Sequence, residues 1–74
     1  MERQVLTEHF TNAKSYIKNG DKDKARDEAD LGLLNILVKR EGGLPDGSMM
    51  EGLSMDQWIT RFWVFLEKNE LMLG

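Results

Sequence analysis

The stretch that decides the fold is Ser54–Leu73, SMDQWITRFWVFLEKNELML. Met55, Trp58, Ile59, Phe62, Leu66 and Leu73 recur at the three- and four-residue spacing of one helical stripe. Trp63 and Phe65 fall on the two edges of that stripe, and Val64 and Leu71 on its opposite side. One helix face has too few seats for so many apolar residues. The surplus predicts a surface reserved for a partner, a second copy of the chain included. Ser54 and Gln57 have the spacing of a capping box, and Asp56 adds negative charge at the positive end of the helix dipole. The helix is expected to run to about Asn69 and to fray through Leu71–Gly74.

Before it lies EGGLPDGSMMEGL, residues 41–53. Gly42-Gly43 ends the preceding helix, and Leu44-Pro45-Asp46-Gly47 reads as a turn. A connection this long between helices is unusual in a small bundle. Its apolar Leu44, Met49, Met50 and Leu53 predict that it wraps across the bundle, with a short helical turn around Ser48–Gly52.

Two more helices are expected nearer the N-terminus. From about Gln4 to Lys18, Leu6, Phe10, Ala13 and Ile17 share one stripe, flanked by Val5 and Tyr16. Gly20 suits the left-handed position just past a helix end, and Lys18 complements the dipole there. Asp21 is a good cap for a second helix reaching Lys39 or Arg40. Ala25 and Ala29 are small enough to let the first helix approach closely. The segment Leu31–Val38, LGLLNILV, is apolar on nearly every side. One neighbour cannot enclose such a helix, so the third helix or another subunit is expected to cover the rest. Gly32 costs roughly 1 kcal/mol relative to alanine inside a helix, which close approach by another helix would offset.

The fold class expected is therefore all-α: an antiparallel helical hairpin, a long Gly/Pro-containing loop and a third helix, forming one domain over residues 1–74. The inward set is expected to be Leu6, Phe10, Ala13, Ile17, Ala29, Leu33, Ile36, Leu37, Ile59, Phe62 and Leu66.

Composition narrows the function. A chain of 74 residues is expected to bury only about 60–65% of the surface its unfolded form exposes. The chain has no cysteine, so disulfides, thiolate zinc sites and cysteine nucleophiles are excluded. Thirteen acidic and ten basic residues give a net charge of −3 without any long run of one sign. That balance argues against sequence-independent nucleic-acid binding. The N-terminus lacks the apolar core of a signal peptide, and no run approaches the ~18 apolar residues of a membrane span. A cytoplasmic protein without membrane attachment is expected.

Motifs with chemistry are lacking. His9 is the only histidine, with no activatable nucleophile at an informative spacing, and alone it makes no conventional zinc site. Asp21-Lys22-Asp23-Lys24-Ala25-Arg26 alternates carboxylates as a calcium loop does. It then fails at Ala25 and again at Arg26, where that loop requires glycine. Gly42-Gly43 and Gly47 match no phosphate loop. No catalytic residue, metal or cofactor is expected. Lys14, Lys18, Lys22, Lys24 and Arg26 cluster near the first inter-helix turn, but Asp21, Asp23, Asp27, Glu28 and Asp30 interleave with them. The second helix is also too apolar to lie in a DNA groove.

Phe10–Leu33 resembles one helical hairpin of the tetratricopeptide type. Ala13, Tyr16, Gly20, Asp21, Ala25 and Leu33 occupy positions where that repeat favours a small residue, tyrosine, glycine, aspartate, alanine and leucine. The resemblance implies an antiparallel helix pair. With no second copy in the chain it does not imply a peptide-binding array.

What remains is a non-enzymatic interaction protein: a small adaptor, inhibitor or assembly factor that binds another protein and self-associates, as a homodimer or larger homo-oligomer, through helices 2 and 3. A compact accessory protein of a phage or mobile element would fit this reading. Trp63, Val64 and Phe65 are the expected anchors, joined by Leu34 and Val38 on helix 2 and by Leu44, Met49 and Met50 in the loop. The alternative is a regulator that binds nucleic acid or a nucleotide-type ligand through the Lys14–Arg26 basic residues.

Overall fold

The computed structural model describes residues 3–72. It is a mostly helical three-helix structure with one small hairpin, in the order α1 (Val5–Lys18), α2 (Lys22–Glu41), β1 (Met49–Met50), β2 (Leu53–Ser54) and α3 (Met55–Lys68). The expected place of Leu73 on the α3 stripe lies outside the described residues.

Each helix ends the same way. Asp21, Leu44 and Leu71 donate their backbone N–H groups to the carbonyls of Tyr16, Lys39 and Leu66, five residues back. The residue before each of them, Gly20, Gly43 or Glu70, takes the left-handed conformation that this closure needs. Glycine does so without strain at the first two; Glu70 does so with a Cβ. The Glu70 turn swings Leu71 back against the core, where it is 7% exposed, rather than outward as helical periodicity alone predicts.

The starts differ. Asp21 caps α2 by accepting the Lys24 N–H, and Ser54 caps α3 in a complete, reciprocal capping box with Gln57. Gln4, at the start of α1, makes no side-chain cap. Glu51 supplies it instead, accepting the N–H groups of Leu6 and Thr7 at 2.9 Å each. Those are the groups that a helix's own cap residue normally satisfies.

The 42–54 connection thus works as a brace. Where a helical turn was expected around Ser48–Gly52, Met49 and Met50 pair antiparallel with Ser54 and Leu53. The two residues of the hairpin turn, Glu51 and Gly52, both have positive φ, as the tight turns that suit strand twist require. The hairpin folds Met50 under α3, where it is buried and its carbonyl accepts the Trp58 indole N–H. Arg40 ties the other end, bonding Asp46 at 3.0 Å and lying 3.8 Å from Asp56 at the start of α3.

The core is aromatic. Phe10 of α1 meets the rings of Phe62 and Phe65 edge-on, with centroids 5.5 and 5.7 Å away. Trp58 stacks on Phe62 at 5.9 Å. On α2 the covered side carries small residues: Ala25, Ala29 and Gly32 are buried, with Ile36 the one large member. The Phe62 ring fills the space over Gly32, so a side chain on that residue would collide with the ring. This is the close approach expected of a glycine in mid-helix, made by a side chain rather than a helix backbone.

The result is thin, about 16 Å through its shortest axis. The other two axes are 35 and 32 Å, and so flat an arrangement of helices leaves outer helix faces uncovered.

Candidate functional site

α2 is the helix left open. Leu34 is 56% and Val38 62% exposed, with Leu31 and Leu37 each nearly half exposed beside them. Leu37, expected inward, is corrected to this outer face. A helix apolar all round gives no angular preference, and the small residues on its far side decide which face is covered. Leu31, Leu34 and Val38 repeat at i, i+3 and i+7, the spacing of a helix-pairing seam. Leu31, Leu34 and Val38 also border a shallow depression with His9, Asn35 and Lys39. There His9 Nδ1 lies 2.6 Å from Glu28 Oε2, a bond that clips α1 to α2.

The three consecutive anchors expected on α3 do not share a surface. Successive helical residues point about 100° apart. Trp63, 47% exposed, faces α2 over a depression lined by Leu33, Leu66, Leu71 and Met72. Val64, 55% exposed, faces the opposite side, toward α1. Phe65 is corrected to the core, because the Phe10 ring of α1 covers that edge of the stripe. In the loop, Met50 is likewise corrected to a core residue, Leu44 is half buried against the core, and Met49 remains exposed.

Sequence reasoning missed a second surface. α1 and α3 enclose an open groove of about 450 Å³. Phe10, Ile17, Val64 and Phe65 give its apolar lining, and Lys14, Arg61 and Lys68 its charged lining. The i, i+4, i+7 run Phe10, Lys14 and Ile17 was visible on α1, but its counterpart on α3 depends on how the two helices lie together.

The basic cluster of Lys14–Arg26 is divided by the fold. Lys24 pairs with Asp21, and Arg26 with Asp30, whereas Lys14 belongs to the α1–α3 groove. Among the described residues, no cluster of three or more histidines and carboxylates could hold a metal ion, and no helix is long and apolar enough to cross a membrane. A wider concavity, about 840 Å³, lies between the N-terminus of α1 and the 42–51 loop, with Arg3, Val5, Leu44 and Pro45 on its walls. The Glu51 carboxylate there is already committed to capping α1.

No protein-family model matches this chain, and no curated protein or solved structure matches it either.

Proposed function

We propose that this protein is a non-enzymatic interaction module of the cytoplasm, acting as a small adaptor, inhibitor or assembly factor, and that it pairs with a second copy of itself through α2. The observation that carries the reading is the row Leu31, Leu34, Leu37 and Val38, all exposed on the outer side of a helix whose other side is packed. Monomeric proteins seldom leave a contiguous aliphatic ridge in water. A second α2 laid across it covers both ridges at once, since a two-fold interface uses the same patch on each subunit. The i, i+3, i+7 seam suits helix-to-helix packing. Trp63 and the half-buried Leu33 lie at the margin of the ridge and widen it toward α3.

The absence of cysteine makes the face directly testable. A single Leu34→Cys variant is expected to form an oxidised dimer in good yield, whereas a single Ser15→Cys variant on the exposed side of α1 is expected to stay monomeric. Equal cross-linking at both positions would show random collision and would count against pairing through α2.

A further inference from the structure

We propose that the groove between α1 and α3 binds an acidic, amphipathic helical segment of another protein. The α2 ridge lines no part of this groove, so the proposal stands whether or not two copies pair.

Charge complementarity points to the occupant. In a chain with more acids than bases, the ionisable side chains that line the groove are Lys14, Arg61 and Lys68, with no carboxylate between them. Among the described residues these three make no ion pair, which is also true of Lys18, Lys22 and Lys39; what sets the three apart is that they converge on one apolar groove. The Phe10 ring holds two of them in place: the Lys14 ammonium lies 5.1 Å and the Arg61 guanidinium 5.6 Å from its centroid. A cation resting on an aromatic face keeps its outer side free to accept a carboxylate.

The apolar lining sets the second requirement. Phe10 and Ile17 are half buried and Val64 is exposed, so the occupant has to bring apolar side chains as well as negative charge. The groove is open along its length, which a small ligand could not fill with most of its surface covered. From Phe10 to Ile17, and from Arg61 to Lys68, each wall runs two helical turns, about 11 Å. A short helix with apolar residues at i, i+3 and i+7, flanked by glutamate or aspartate, matches that length and pattern. A nucleic-acid strand would supply negative charge and leave Ile17 and Val64 uncovered.

The test is selection of a displayed library of helical 14-residue peptides, varied at every surface position, against the full chain. The expected winners carry apolar residues at i, i+3 and i+7 with acids on both flanks. Their binding, read by fluorescence anisotropy, is expected to weaken at least tenfold with Val64→Asp and with Lys14→Glu/Lys68→Glu. These positions are exposed, and circular dichroism verifies that each variant is folded. A Leu34→Glu variant, which breaks α2 pairing, is expected to bind the same peptides unchanged. Basic or neutral winners, no enrichment, binding indifferent to the groove variants, or displacement by a short oligonucleotide would each overturn the proposal. So would loss of self-association in Val64→Asp, which would assign the groove to a second copy.

Discussion

Glu51 reaches across 45 residues of chain to accept the backbone N–H of Leu6 at 2.9 Å. Its other carboxylate oxygen takes the N–H of Thr7. A residue at the tip of a two-residue turn therefore closes a helix that has no side-chain cap of its own. The side chain is held there by a left-handed backbone, φ 53°, which costs about 1–2 kcal/mol for a residue with a Cβ. A capping side chain contributes about 0.5–2 kcal/mol, and the second hydrogen bond and the helix dipole add to it, so the cap outweighs that strain.

Glu51→Ala is expected to lower stability by about 1–3 kcal/mol, measured by urea unfolding. Glu51→Gln keeps an acceptor oxygen and loses the charge, so its loss is expected to be smaller. Glu51→Gly removes the cap and the backbone strain together and is expected to fall between wild type and Glu51→Ala. A Glu51→Ala chain as stable as wild type would show that the brace is unimportant.

Gly32→Ala tests the contact between α2 and α3. Helix propensity alone predicts a gain of roughly 1 kcal/mol. The Phe62 ring, wholly buried, occupies the space that the new methyl would need. Overpacking of a filled core costs about 1–3 kcal/mol, so a net loss in thermal or urea stability is expected. Gly32→Ala combined with Phe62→Leu should recover part of that loss, a coupling that a double-mutant cycle measures.

Glu70 stands at φ 57° in the turn that closes α3, the position where α1 and α2 have Gly20 and Gly43. Glu70→Gly is expected to stabilise the chain by about 0.5–1 kcal/mol, read as a raised Tm with an unchanged far-ultraviolet spectrum. No change or a decrease would mean that the Glu70 side chain contributes more than its backbone strain costs.

The fold was legible wherever its signals are local. Ser54 with Gln57, Asp21, and the glycines after α1 and α2 mark helix ends within four residues of where they act. Glu51 does not, because the N–H groups it satisfies belong to a helix at the other end of the chain. The hairpin was hidden for a related reason: Met-Met and Glu-Gly lack strand and turn preference, and what holds them is Trp58 and α1. Position around a helix was legible on α1 and most of α3. It failed at Phe65 and Leu37, where contact with Phe10 and with small residues on α2 decides burial. The outer ridge of α2 was half visible, as more apolar residues than one neighbour could cover. The α1–α3 groove depends wholly on packing.

Sedimentation equilibrium across a concentration series, on wild type and on Leu34→Glu, tests the central claim most directly. Leu34 is exposed in the single subunit, so the substitution is expected to leave the monomer folded. Wild type is expected to move from the mass of one chain toward that of two as concentration rises through the micromolar range, and Leu34→Glu to remain at one. A wild-type chain that stays monomeric at high micromolar concentration, or a Leu34→Glu chain that associates equally well, would contradict the account.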